Sequence, residues 1–245
     1  PEHHQPVGEF EDLVHSMGDV EDSPSLGAEL ADDSVEPPDL GLAQRRGRLV
    51  EDQHPGIAVQ GPCDLNQLPI PRHWPLDGGR YAGTADAVIT RDPDNGYLNV
   101  GTYRMMLQGK AQAGLYLSPG KDARLHIQKA WDAGKPIEVA ACWGVDPLFM
   151  LVGSQSFPKT VSEYEYAGGI KGEPIPVVKG KVTDLLVPAN AEIVVEGHID
   201  TELLEPEGSF GESHGYMNLK EYNAFMDVTA ITRRKDAILV SIISQ

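Results

Sequence analysis

Residues 113–142 read AGLYLSPGKDARLHIQKAWDAGKPIEVAAC, and this stretch decides the fold. Ala113–Leu117 is a short apolar run closed by the turn signal Ser118-Pro119-Gly120, which reads as a strand. Beyond it, Ala123, Ile127, Ala130 and Trp131 share one helical stripe, and Gly134 marks its stop. Ile137–Cys142 is apolar again and short enough for a second strand.

The same alternation extends in both directions. Ala87–Thr90, Tyr97–Tyr103, Ile175–Val178, Glu192–Val195, Met226–Ile231 and Ala237–Ile243 read as further strands between turn signals. Asp146-Pro147 has the form of an N-cap followed by a first-turn proline, leading a helix into Leu148–Val152. Ser162 is placed to cap a third helix, with Glu163 in its first turn. Many strands with few helices predict an α+β domain built on a barrel or a sandwich. No internal repeat is present.

The chain has 245 residues and a formal charge of -17, which argues against nucleic acid or an anionic membrane as partner. Much of that charge lies in residues 1–60, where fourteen acids face three arginines. Phe10 is the only aromatic there, and Pro24, Pro37 and Pro38 interrupt any period, so a disordered or loosely packed segment is expected. A short helix around Glu9 to Met17 and a metal-binding pair His3-His4 are the exceptions that the segment admits. Cys63 and Cys142 have no metal spacing and read as two reduced thiols. No run is long and apolar enough for a membrane span and no signal peptide is present, so a cytoplasmic location is expected.

Chemistry concentrates in a few polar stretches. Residues 207–216, EGSFGESHGY, set Glu207 and Glu212 in a loop that glycine allows to bend tightly. Two acids converging on one small pocket favour a proton on one of them, the condition for a general acid; a solvated acidic turn is the alternative. In Asn99-Val100-Gly101-Thr102-Tyr103-Arg104, a regular strand would point Asn99 and Arg104 to opposite faces unless Gly101 marks a bulge. A surface ion pair is the alternative for Arg104, and a first-turn anion is the alternative for Asp122 and for Glu163.

Taken in order, LPIPRHWPLDGGRY (68–81), YLNVGTYRM (97–105), GLYLSPGKDAR (114–124), PKTVSEYEYAGGIKGEPIPVVKGKVTDLLVPANAEIVVEG (158–197) and EGSFGESHGY (207–216) resemble the UbiD family of prenylated-FMN-dependent decarboxylases. The resemblance implies a split β-barrel flavin-binding domain over residues 61–245 with a few flanking helices. It implies a decarboxylase, or reversible carboxylase, acting on an aromatic or α,β-unsaturated carboxylic acid through a covalent adduct with prenylated FMN. Arg104, Glu207 and Glu212 match the catalytic set: Arg104 clamps the substrate carboxylate, Glu207 orients Arg104, and Glu212 protonates the carbon.

Asn99, Asp122 and Glu163 match the ligands of a manganese or magnesium ion that holds the flavin phosphate, with potassium possible nearby. Asn99, Val100, Gly101, Thr102, Tyr103, Arg104, Lys121, Asp122 and Glu163 form the implied cofactor site. Relatives read GKHGR where this chain reads GKDAR, so Asp122 stands at a histidine position; His126, one helical turn on, is a substitute. A flavin prenyltransferase is the implied cofactor supplier, and a homo-oligomer or a place in a hetero-oligomer is implied. Family members also carry a domain before and another after the flavin domain, neither expected here. A non-catalytic cofactor-binding or assembly subunit is therefore the alternative function, and a plain metal-binding barrel without flavin is a third.

Overall fold

The computed structural model describes residues 58–60, 65, 76–83, 86–159, 161–200, 204–212, 214–218 and 221–238. Its centre is a ten-stranded, wholly antiparallel sheet in the order β2-β5-β6-β12-β10-β7-β3-β4. These strands are β2 (Arg80–Gly83), β3 (Ala87–Arg91), β4 (Leu98–Gly101), β5 (Met105–Leu107), β6 (Gln112–Leu115), β7 (Ile137–Trp143), β10 (Ile193–Ile199) and β12 (Glu221–Arg233). Two more, β1 (Ala58–Gln60) and β11 (Leu204–Glu207), pair with β12, whose thirteen residues are long enough to take four neighbours. A separate hairpin joins β8 (Val177–Lys179) to β9 (Leu186–Pro188). The large sheet curls into a half-barrel, the split-barrel fold expected from the sequence, with three helices among the described residues: α1 (Asp122–Asp132), α2 (Leu148–Ser154) and α3 (Glu163–Lys171).

The central strands β3, β7 and β10 are largely apolar because both faces of the sheet are covered there. On β3 and β7, Val88, Val139 and Ala141 face one core, which holds Leu115, Met226 and the α1 residues Ile127 and Trp131. Their neighbours Ile89, Ala140 and Cys142 face a second core with Phe149 and Val152 of α2 and Tyr164 of α3. Alternation survives as alternation between two apolar layers, and each full burial of such a side chain contributes about 1.5–3 kcal/mol.

The helices begin and end where their chemistry dictates. Gly134, at φ +64°, closes α1 with its N–H donating to the carbonyl of Trp131. The Asp146 carboxylate accepts from the Leu148 N–H at 3.0 Å and so starts α2. Ser162 starts α3 with a capping box: its hydroxyl accepts from Tyr164 N–H, and Glu165 accepts from the Ser162 N–H at 2.8 Å.

The expected strand Tyr97–Tyr103 is shorter in the fold. Pairing with β3 covers only Leu98–Gly101, and residues 102–104 belong to no strand before β5. The β3–β4 register runs without a shift to Gly101, so this glycine ends the ladder rather than bulging within it, and a β-carbon there would collide with the ring of Tyr103. The expected strand Ile175–Val178 is displaced to Val177–Lys179. Ala237 and Ile238 belong to no strand, and the rest of the expected strand 237–243 lies outside the described residues. The segment 68–75, the helix 9–17, His3, His4 and Cys63 also lie outside them. Cys142 is free and fully buried. No helix among the described residues is long and apolar enough to cross a membrane.

Candidate active site

The break after Gly101 delivers Arg104 into the sheet's interior. Its backbone carbonyl accepts from Tyr116 N–H, and its guanidinium lies 3.8 Å over the Tyr116 ring. From the far end of the sequence, β11 ends at Glu207 and the loop beyond it brings Glu212. Arg104 Nε and Nη2 donate to the two carboxylate oxygens of Glu207 at 2.7 and 3.0 Å, and Nη1 donates to Glu212 Oε1 at 2.8 Å. Burial alone would pull the Arg104 guanidinium down. Hydrogen bonding and charge from Glu207, with Glu212 behind, hold it above its ordinary value.

Each glutamate has a second partner that sequence reading did not single out. Asn223 Nδ2 donates to Glu207 Oε2 at 2.7 Å, and Asn218 Nδ2 donates to Glu212 Oε1 at 2.6 Å. Glu207 is 2% exposed, whereas the Glu212 side chain is 30% exposed. Two aromatics frame the cluster. Phe210 stands 5.3 Å from the guanidinium carbon of Arg104, and its ring lies 4.4 Å from that of Tyr81. The Tyr81 hydroxyl donates to the Gly208 carbonyl, and burial followed by the charge of Glu207 pushes it above its usual range. Gly78 and Gly208 meet so closely that neither has room for a β-carbon.

A second group of residues lines a pocket of about 220 Å³ beside the Gly101–Tyr103 segment. Asn99, Asp122 and Glu163 all face it, with Lys121 and Lys159. Glu163 is the first residue of α3, 3% exposed, and its Oε2 accepts from the Val100 N–H at 2.8 Å. Burial pushes its carboxyl up to about 7 against the pull of that N–H, and the negative Asp122 adds to the rise. Asp122 opens α1 and faces Lys159 Nζ at 3.6 Å. Among the described residues no three His, Cys, Asp or Glu side chains are grouped for a metal; the set here is two carboxylates and an amide.

His126 does not line the pocket. It is buried, with Nδ1 3.0 Å from the Thr90 hydroxyl and Nε2 3.8 Å from Asp92. It therefore does not stand in for Asp122. Thr90 also accepts from Asn99 Nδ2 at 3.5 Å. The expected site residues thus fall into two groups joined through residues 101–104. Asn99, Gly101, Thr102, Tyr103, Lys121, Asp122 and Glu163 line the pocket; Arg104, Glu207 and Glu212 form the charged cluster. Val100 contributes its backbone N–H to Glu163.

Comparison with known proteins fits this geometry. Residues 49–245 match the family described as UbiD, the 3-octaprenyl-4-hydroxybenzoate carboxy-lyase Rift-related domain. The chain belongs to the UbiD family. An uncharacterized protein of Aquifex aeolicus is 40% identical over 200 residues, which cover 81% of this chain and 40% of that protein. Ferulic acid decarboxylase 1 of Candida dubliniensis is 36% identical over 182 residues, 72% of this chain and 35% of that enzyme. The UbiD-class enzyme HmfF of Pelotomaculum thermopropionicum, solved with FMN, superposes with a TM-score of 0.73 at 36% identity, covering 76% of this chain and 42% of HmfF. An evolved dimeric HmfF bound to prFMN gives a TM-score of 0.72 at 32% identity, covering 83% of this chain and 49% of that one. This UbiD chain therefore spans less than half the length of these relatives.

Proposed function

We propose that this UbiD domain serves a decarboxylase acting on an aromatic or α,β-unsaturated carboxylic acid, with prenylated FMN and a divalent metal as cofactors. The observation that carries the reading is Arg104 gripped between Glu207 and Glu212. A guanidinium has five N–H donors, and three are spent on the two glutamates. Two remain for a substrate carboxylate, which Arg104 orients while Glu207 keeps the guanidinium in place. Carbon dioxide leaves as the carbon–carboxylate bond breaks, and Glu212 delivers a proton to the carbon. Its partial exposure lets solvent restore that proton.

The pocket suits the cofactor pair. The Asn99 carbonyl and the carboxylates of Asp122 and Glu163 form an all-oxygen donor set, the kind that manganese and magnesium take. Lys121 and Lys159 on the same wall complement a phosphate. Asn99, Lys121, Asp122 and Glu163 would hold the modified flavin and its metal, and the flavin would supply an electrophilic carbon and an electron sink. A flavin prenyltransferase is the supplier in this reading, and an oligomer is its working form.

The test is carbon dioxide release from a panel of aromatic and acrylic acids by protein co-produced with a flavin prenyltransferase. Glu212→Gln should abolish release while keeping the flavin absorbance. Release by Glu212→Gln at the wild-type rate overturns the proposal.

A further inference from the structure

The two glutamates beside Arg104 differ in how their oxygens are occupied. Glu207 has donors on both: Arg104 Nε on Oε1, and Arg104 Nη2 with Asn223 Nδ2 on Oε2. Glu212 has both of its donors on one oxygen. Arg104 Nη1 and Asn218 Nδ2 converge on Oε1 at 2.8 and 2.6 Å, and Oε2 receives no hydrogen bond among the described residues.

The backbone explains how Asn218 reaches Glu212. Gly211 and Met217 form a β-bridge, Glu212 N–H donates to the Tyr216 carbonyl, and Asn218 N–H donates to the Phe210 carbonyl. Residues 210, 212, 216 and 218 therefore share one face of a small hairpin, since side chains alternate across a ladder. Glu212 and Asn218 are diagonal neighbours on that face, within reach of one another. Gly215, at φ +85°, turns the tip.

We infer that Asn218 is a positioning residue that assigns the transferable proton of Glu212 to Oε2. This deepens the decarboxylase reading above and rests on it. A carboxyl oxygen that accepts two N–H donors has both lone-pair directions filled, so a proton added to the group goes to the other oxygen. Oε2 is thereby the acid and Oε1 the anchored end. The carboxyl is held against rotation about its last bond, a torsion that is otherwise broad and two-fold. In the step itself the Oε2–H bond breaks, a carbon–hydrogen bond forms, and the electron pair freed by departing carbon dioxide becomes that new bond. Glu212 is left as a carboxylate whose Oε1 keeps both donors, and solvent returns a proton to Oε2. Glu207 offers no equivalent oxygen, which separates an orienting acid from a donating one without reference to their order in the chain.

Two measurements test the assignment. In the flavin-loaded enzyme, Asn218→Leu should lower kcat on the order of 10- to 100-fold, with KM within about 2-fold and flavin absorbance unchanged. Asn218→Gln, which keeps an amide donor, should recover most of the loss. Wild-type kcat in Asn218→Leu overturns the inference, as does an equal loss in Asn218→Gln with flavin still bound. Independently of turnover, neutron crystallography of the deuterated, flavin-free protein at acid pH should find deuterium on Glu212 Oε2. Deuterium on Oε1 overturns it. Should the wild type release no carbon dioxide while deuterium sits on Oε2, the decarboxylase reading fails and the proton assignment stands.

Discussion

Arg104 is held by a geometry that only a guanidinium satisfies. Its planar fork meets both oxygens of Glu207, and a third N–H reaches Glu212. A lysine keeps the charge but loses the paired contact. Arg104→Lys should therefore lower kcat/KM about 100-fold, with most of the loss in substrate binding, measured by steady-state kinetics at saturating flavin. At this scale the sequence was partly legible. Arg104, Glu207, Glu212, Asn99 and Glu163 draw notice as polar residues in glycine-punctuated or capped stretches, but local pattern leaves bland readings open and only the family resemblance suggests their roles. Asn218 and Asn223 do not, since asparagine in a turn or strand has several ordinary uses. Their partners become visible only when β11, β12 and the hairpin are assembled. Lys159 and Thr90 were missed for the same reason: each acts through a neighbour more than thirty residues away in sequence or across a pocket wall.

Helix starts carry the metal-binding candidates. Asp122 opens α1 and Glu163 opens α3, where the exposed N–H groups and the helix dipole favour anions. The capping box at Ser162 sets where α3 begins and hence where Glu163 points. Ser162→Ala should cost about 1 kcal/mol of stability in chemical denaturation, and Ser162→Thr should retain most of it. α1 was readable from its stripe and stop and α2 from Asp146-Pro147, whereas α3 was signalled only by Ser162 as a cap. The strands were read less well. Three- and four-residue strands such as β5, β9 and β11 are too short to show a period. The end of β4 was hidden for a different reason. Thr102 and Tyr103 continue a β-rich composition, so nothing in the residue types marks Gly101 as the last paired position. That exit leads to Arg104 and the glutamates, so of the misread boundaries this one matters most to the site.

Among the described residues, Asp86 is a buried carboxyl that costs the whole molecule stability. Asp86 precedes β3, fully buried, and neither of its carboxylate oxygens has a partner among the described residues; nor does the nearby Trp143 Nε1. Burial pushes its pKa from 3.8 up to about 7. The folded chain therefore binds a proton that the unfolded chain releases between those values. Stability from this group is full below the unfolded value and is lost as pH rises through about 7, a change of about 4 kcal/mol. Denaturant titrations should show Asp86→Asn and wild type alike at pH near 4, and the variant more stable by a few kcal/mol at pH about 8. Equal stability of the two proteins across that range would contradict the burial cost.

Residues 101–103 line the pocket that Asn99, Asp122 and Glu163 also line, and Arg104 next to them enters the cluster with Glu207 and Glu212. The most direct measurement is native mass spectrometry of the protein purified without oxygen after co-production with a flavin prenyltransferase. The account predicts one prenylated FMN and one divalent metal bound per chain in the wild type, and neither in Glu163→Ala. A wild-type protein that releases carbon dioxide from an acid substrate while carrying no flavin would contradict it.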